Sequence, residues 1–316
     1  MKIMQYRKLG NSGLKVSEIS LGSWLTYGGY VGEDPAVRSI EQAYDLGVNF
    51  FDTANVYERG EAEQVMGKVL SAYPRESYVL ATKVFGKMGE GPNDRGLSRK
   101  HIKEQAEASL RRLNADYIDI YYCHRFDTET PLEETLRALD DLVTQGKVLY
   151  IGVSEWTPAQ IVEAYALADK LLLDKLIVNQ PVYNMFNRYI EKDIIPLGET
   201  KGFGQVVFSP LAQGLLTGKY RAGQPIAADS RASSKNWDEK QLNEASLHKV
   251  AQLSSIADEL GIKVSQLAIA WILRQNNVSS ALVGASRPEQ VVENCSASGI
   301  HLTDDVLSSI ETILQG

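Results

Sequence analysis

Short apolar runs recur along the chain, and each is followed by a longer stretch in which apolar positions return at the helical period. The runs cover residues 19–22, 48–51, 78–83, 117–124, 148–153, 176–179, 205–208 and 281–283, and each predicts a short strand. Helices are predicted from Asp34-Pro35 onward, over 61–72, 98–113 and 130–145, from Thr157-Pro158, over 189–200, 244–260 and 265–275, and near 288–295. Local signals support several of these starts. Asp34 precedes Pro35 as an N-cap precedes the first helical position, and Thr130-Pro131-Leu132-Glu133 and Thr157-Pro158-Ala159-Gln160 both read as capping boxes with proline at that position. Ahead of all these elements, residues 6–17 read as a short hairpin turning at Asn11 to Gly13, placed to cap the closed end of the strand–helix array.

Strands that are apolar without alternation are buried on both faces, which is the mark of parallel sheet. Eight strand–helix units in one chain fit a closed α/β architecture, the (β/α)8 TIM barrel, better than an open sheet. The expectation is a single domain over residues 1–316, with an N-terminal β-hairpin cap and a long loop after strand seven. An open doubly wound sheet would want a phosphate-binding fingerprint after its first strand, and no G-x-G-x-x-G occurs. Gly214 to Tyr220 imitates a P-loop, but its glycine spacing is wrong and tyrosine stands where serine or threonine must meet magnesium. Residues 209–241 hold no periodic element and are rich in Gly, Pro, Ala and Ser; on the C-terminal rim, such a stretch reads as a lid over a site.

Composition narrows the setting without changing the fold. A hydrophobic share of 44% and a charged share of 23% are those of an ordinary soluble protein. A formal charge of -7 argues against broad nucleic-acid binding. No apolar segment is long enough to span a bilayer, and the first residues lack the apolar core of a signal peptide. Two cysteines, Cys123 and Cys295, make no disulfide framework and no metal-ligand spacing, which points to a reducing, cytoplasmic compartment.

The candidate chemistry lies at strand ends. The second run closes on Asp52, the third on Lys83 and the fourth on His124, so consecutive strands deliver an acid, an ammonium and an imidazole to one rim, with Tyr57 just beyond the first. A phenol is a weak proton donor near neutral pH unless a cation stabilises its phenolate. Lys83 can do that, Asp52 can hold the ammonium, and His124 can hydrogen-bond the oxygen that receives the proton. Taken singly, each residue reads more readily as structural: an ion pair, a loop tyrosine, a capped core histidine. Their joint position on one barrel rim reverses that weighting. Cys123 reads as a small buried hydrophobe, and His101, His248 and His301 as surface residues. A second constellation is Gly284-Ala285-Ser286-Arg287-Pro288-Glu289-Gln290 with Glu293 and Asn294. There a strand end and a helix start offer backbone N–H groups to an anion and Arg287 adds a fork, though a plain helix cap explains the pattern equally well.

Several ordered stretches carry a resemblance to a known family. They are Phe51-Asp52-Thr53-Ala54 with Tyr57, Ala81-Thr82-Lys83, Gly96-Leu97-Ser98-Arg99-Lys100, Thr130-Pro131-Leu132-Glu133-Glu134-Thr135, Ser209-Pro210-Leu211-Ala212, Gly218-Lys219-Tyr220 and Leu282-Val283-Gly284-Ala285-Ser286. Over essentially its whole length the chain resembles the aldo-keto reductases. Within them it is similar to the branch that contains the voltage-gated potassium channel β subunits and the bacterial L-glyceraldehyde-3-phosphate (methylglyoxal) reductases. The resemblance implies a barrel that binds NADP(H) without a Rossmann fold, with Asp52, Tyr57, Lys83 and His124 as catalytic tetrad. It also implies that Trp24 lines the nicotinamide pocket, that Ser154 and Gln180 hydrogen-bond the carboxamide, and that Phe208 stacks on the ring. By the same resemblance Ser209, Leu211, Gly214, Lys219 and Arg231 close over the pyrophosphate. Gly284, Ser286, Arg287, Gln290, Glu293 and Asn294 hold the adenosine end, with Arg287 on the 2′-phosphate.

Departures within the branch point toward the reductases. The channel subunits have asparagine where this chain has His124, and Cys123-His124-Arg125 is similar to the Ser-His-Arg of the bacterial enzymes. Position 155 is Glu where the channel subunits have Arg, and no inactivation segment is expected ahead of the barrel. The implied activity is reduction of small aldehydes and ketones, of the methylglyoxal or glyceraldehyde-phosphate type, with Tyr57 as proton donor. The alternative is an NADPH-sensing regulatory subunit of a potassium channel. The expected partners are a small carbonyl substrate and, as relatives in this branch often are, further copies of the chain in a homo-oligomer. A channel partner is less favoured, and neither nucleic acid nor direct membrane insertion is expected.

Overall fold

The computed structural model describes residues 4–24, 32–220 and 242–316. The chain opens with two short strands, β1 (Tyr6–Lys8) and β2 (Lys15–Ser17), paired antiparallel with Tyr6 opposite Ser17. This is the hairpin expected from the sequence. Next come β3 (Ile19–Gly22), α1 (Glu33–Asp45), β4 (Phe50–Asp52), α2 (Glu61–Leu70), β5 (Val79–Val84), α3 (Arg99–Leu113), β6 (Ile118–Cys123) and α4 (Leu132–Thr144). The second half holds β7 (Val148–Ser154), α5 (Pro158–Leu171), β8 (Val178–Gln180), α6 (Ile194–Lys201), β9 (Gly204–Phe208), α7 (Glu244–Glu259), α8 (Val264–Leu273), β10 (Val278–Gly284), α9 (Pro288–Cys295) and α10 (Asp304–Gln315).

Strands β3 to β10 form a closed parallel barrel in sequence order, with β10 returning to pair with β3. The continuous apolar runs have their explanation here: both faces of each strand are buried, one against the helices and one in the lumen. Alternate residues separate into two packed groups. Phe51, Leu80, Tyr121, Ile151, Val207 and Val283 face outward and join the large core under the helices. Phe50, Val79, Ala81, Ile120, Tyr122, Val178, Val206 and Leu282 fill the barrel interior, joined from the hairpin by Leu9 and Val16. The hairpin is therefore a plug: its apolar side chains close the lumen floor. Gly152 has a packing reason, since a Cβ there would lie 2.5 Å from Val178 and 2.8 Å from the Tyr122 ring, so glycine leaves room for that ring in the lumen.

Several local expectations need correction. The N-cap of α1 is Gly32 rather than Asp34, and Glu33 and Asp34 lie in the first turn, where their charge suits the positive end of the helix. At α4 the capping box does not form, because Pro131 takes the N-cap position and the Thr130 hydroxyl donates to Asp127 at 2.8 Å. The box at α5 does form, with Thr157 and Gln160 each bonding the other's backbone N–H. His101 is buried at 1% exposure, on the inner face of α3 with Ile102, Ala106 and Leu110. The stretch expected to be structureless begins with a short 3-10 segment, Ala212–Thr217, and its remainder from 221 to 241 lies outside the described residues. Helix α10 is an element the sequence pattern did not predict, although Val306, Leu307, Ile310, Ile313 and Leu314 return at helical spacing and pack on the core. No helix among the described residues is long and apolar enough to cross a membrane.

One residue is poorly matched to its place. Leu172 ends α5 at φ 55, in the left-handed region, and is 92% exposed, so it carries backbone strain without packing to offset it. Leu172→Gly is expected to stabilise the protein by about 1 kcal/mol, read as a rise in the urea midpoint at unchanged slope.

Candidate active site

Barrel parity builds the site. Inward positions fall two residues apart, so the layer above Phe50, Ala81 and Tyr122 consists of Asp52, Lys83 and His124. Asp52 ends β4, Lys83 is the penultimate residue of β5, and His124 directly follows β6. Tyr57 begins a 3-10 turn after β4 in which Glu58 (φ 46) and Arg59 (φ 53) are left-handed, followed by Gly60 at φ 98. Two strained non-glycine residues directly after a candidate proton donor are a feature that clusters at functional sites.

The four side chains meet. The Lys83 ammonium, 0% exposed, forms an ion pair with Asp52 Oδ1 and donates to the Thr53 carbonyl at 2.7 Å. Gln180 Nε2 donates to the other Asp52 oxygen at 2.9 Å, so both carboxylate oxygens are engaged. Lys83 Nζ lies 5.0 Å from the centre of the Tyr57 ring. The rings of Tyr57 and His124 meet edge to face, with centroids 5.6 Å apart. Tyr122, which is not among the residues expected from the sequence, lies in the layer below with its ring centre 5.9 Å from Lys83 Nζ. Its inward parity on β6 is the signal that could have found it.

Electrostatics follow from burial and these contacts. Burial works to lower the Lys83 ammonium, but Asp52 and Tyr57 outweigh it and hold the group above its ordinary value, so it is charged at neutral pH. Burial pushes the Asp52 carboxyl up, opposed by Lys83 and Gln180. The Tyr57 phenol is also pushed up by burial, with Lys83 opposing and Asp52 adding to the rise, so it keeps its proton. His124 is pulled well below the usual imidazole range by burial and by the charges of Lys83 and Arg125, which leaves it neutral. The rim thus holds a protonated phenol, a charged ammonium beside it and a neutral imidazole. Such a set can give a proton to an oxygen that gains charge, and stabilise the phenolate left behind.

The expected cofactor residues line the same end of the barrel. Ser154 and Gln180 end β7 and β8 and are buried, and the Ser154 hydroxyl donates to the Gln180 carbonyl at 2.8 Å. Phe208 ends β9 half-buried, and Trp24 is 39% exposed just beyond β3. Ser209 (φ 53), Leu211, Gly214 (φ 101) and Lys219 form the tight turns after β9. Arg231 lies outside the described residues. At the far end, Gly284 is exposed, and a Cβ there would meet nothing within 4 Å among the described residues. Helix α9 starts without a side-chain cap, and Arg287 is exposed at its N-cap. Gln290 accepts from the Ser286 backbone N–H at 2.8 Å and hydroxyl at 3.2 Å, tying the loop to the helix. An exposed glycine, an uncapped helix start and an exposed guanidinium fit a phosphate-bearing group. Asn294 is buried behind them. Glu293 is occupied differently: its carboxylate accepts from Ser265 at 2.5 Å and Lys263 at 2.6 Å, fastening α9 to α8. Glu155, the departure noted at the end of β7, accepts from the Val182 N–H at 2.6 Å and the Tyr189 hydroxyl at 3.1 Å, and so braces the loop after β8.

The model of the aldo/keto reductase family matches residues 18–315. A protein of Oryza sativa subsp. japonica, described as a probable voltage-gated potassium channel subunit beta, is 45% identical over 320 aligned residues that take in 99% of this chain and 97% of that protein. A protein of Arabidopsis thaliana with the same description is 47% identical, with the same coverage of both chains.

The buried pair sets a stability test. Lys83→Met leaves the Asp52 carboxylate without its cation and is expected to destabilise the fold by about 3–5 kcal/mol. The double variant Asp52→Leu/Lys83→Met removes both charges and is expected to recover most of that loss. Urea unfolding of the two single variants and the double variant reads the coupling directly.

Proposed function

The chain belongs to the aldo/keto reductase family, and on that premise we propose that it is an NADPH-dependent reductase of small aldehydes and ketones, of the methylglyoxal or glyceraldehyde-phosphate type. The observation that carries this reading is a protonated Tyr57 phenol beside a buried, charged Lys83 and a neutral His124 at the mouth of a closed barrel. NADPH, when bound, supplies the hydride.

The protein's own part is proton handling and positioning. Tyr57 gives its proton to the substrate oxygen as that oxygen becomes an alkoxide, a stronger base than phenolate. Lys83 stabilises the phenolate that remains, and Asp52 keeps the ammonium charged and fixed. His124, being neutral, donates one hydrogen bond to the same oxygen and orients the carbonyl toward Tyr57. Trp24 and Phe208 would flank the nicotinamide, and Ser154 and Gln180 would hold its carboxamide. Ser209, Leu211, Gly214 and Lys219 would hold the pyrophosphate, and Arg231, outside the described residues, is proposed to join them. Gly284, Ser286, Gln290 and Asn294 would surround the adenosine, with Glu293, held by Lys263 and Ser265, bracing α9 behind them, and the exposed fork of Arg287 would meet the 2′-phosphate.

A second reading is supported by the descriptions of the relatives: a regulatory subunit that binds NADPH and docks on a potassium channel. The neutral imidazole beside Tyr57 favours turnover over sensing alone. Reduction too slow to matter on every carbonyl tested, together with co-purification with a channel, would support the regulatory role.

Tyr57→Phe is expected to lower kcat by about two to four orders of magnitude while NADPH still binds, followed by cofactor fluorescence and steady-state turnover of methylglyoxal. Near-normal turnover in that variant would sink the assignment. Arg287→Ala is expected to weaken NADPH about 10- to 100-fold and NADH hardly at all, measured by fluorescence titration of both.

A further inference from the structure

Arg125 is the residue next to His124 to which the proton chemistry gives no part. Its Nη1 is anchored twice, to the His124 carbonyl at 2.5 Å and to Ser154 Oγ at 3.4 Å, which holds the guanidinium across the ends of β6 and β7. Among the described residues, Nε and Nη2 make no hydrogen bond, and no carboxylate lies within 4.0 Å of the group. The acids that could have neutralised it are committed elsewhere. Asp127, two residues on, accepts from the Leu97 and Glu129 N–H groups at 2.7 and 2.9 Å and from the Thr130 hydroxyl. Glu155, next to Ser154, is held by Val182 and Tyr189.

The charge is also close enough to act on the reacting groups: it opposes the burial-driven rise of the Tyr57 phenol and adds to the burial-driven fall of the His124 imidazole. A planar fork that is anchored on one side and, among the described residues, unbonded on the other, beside the atoms that handle the substrate oxygen, suits a carboxylate or phosphate on the substrate, because an anion there gains charge-assisted hydrogen bonds without first displacing any described acid. Resting on the reductase reading, we propose that Arg125 forms an anion subsite that selects carbonyl substrates carrying a carboxylate or phosphate close to the reacting carbon. It acts through substrate binding, and the proton chemistry stays with Tyr57.

The test compares matched substrates: succinic semialdehyde against butyraldehyde for the carboxylate, and glyceraldehyde 3-phosphate against glyceraldehyde for the phosphate. In the wild type, kcat/KM is expected to favour the anionic member of at least one pair, and which pair tells the two anions apart. In Arg125→Gln that preference is expected to fall about 10- to 100-fold, carried mostly by KM, with partial retention in Arg125→Lys. A preference that is unchanged in Arg125→Gln, or equal losses on both members of each pair, would overturn the proposal and leave Arg125 as a brace for His124 and Ser154. A readout independent of turnover is the calorimetric binding of succinate, which cannot be reduced, to the NADPH-loaded protein. Binding lost in Arg125→Gln supports the subsite even if no aldehyde is turned over, an outcome that would count against the reductase reading alone. Equal succinate binding in wild type and variant, or none in either, counts against the subsite.

Discussion

A parallel barrel that closes on itself has no free edge and no water in its lumen, so every second residue of every strand must fill the space or be neutralised within it. That constraint sets the whole arrangement. Below the mouth, apolar side chains fill most inward positions, the buried hydroxyls of Ser20 and Ser280 bond each other at 2.9 Å, and the hairpin adds Leu9 and Val16 to complete the packing. In the middle, Tyr122 fits only because Gly152 faces it without a side chain. In the layer at the mouth the same parity carries Asp52 and Lys83, which tolerate burial because each supplies the other's counter-charge.

The ion pair is the hinge between fold and chemistry. An ammonium with no exposure would normally shed its proton; here Asp52, fixed on its other side by Gln180, holds the proton on Lys83. The neighbouring phenol then has a permanent cation at hand, while burial keeps it from ionising prematurely. A residue buried for structural balance and one poised for proton transfer are thus parts of a single electrostatic arrangement. His124 remains neutral first because it is buried, and the charges of Lys83 and Arg125 add to the same effect.

Much of this was legible in the chain because parallel strands are apolar on both faces and end in abrupt polar residues. The eight runs, the hairpin and the gathering of Asp52, Lys83, His124 and Tyr57 all follow from that contrast. What the sequence hid depends on partners distant along the chain. Thr130 looked like a helix cap because its neighbours match the pattern, but Asp127 takes its hydroxyl. Glu293 matched a nucleotide-binding pattern, yet Lys263 and Ser265 hold its carboxylate. His101 was hidden in a helix whose inner face includes a polar position, and α10 lay beyond the last strand, where no further barrel unit drew attention to it. That half of the Arg125 fork has no partner among the described residues could not be foreseen, since it depends on where Asp127 and Glu155 turn.

The pairing of β10 with β3 has a consequence for how the protein is made. The first barrel strand to emerge from the ribosome must wait, with one edge bare, until almost the entire chain has been synthesised. Until then the lumen stands open on one side, and the nascent chain presents the unpaired backbone that invites mispairing and chaperone attention. The glycine-floored end of β10 arrives with that last strand, so nothing that rests on it can be gripped before the ring shuts. Closure of the ring is thus the last step of assembly, and the β10 rim takes its final shape only when the chain is nearly complete.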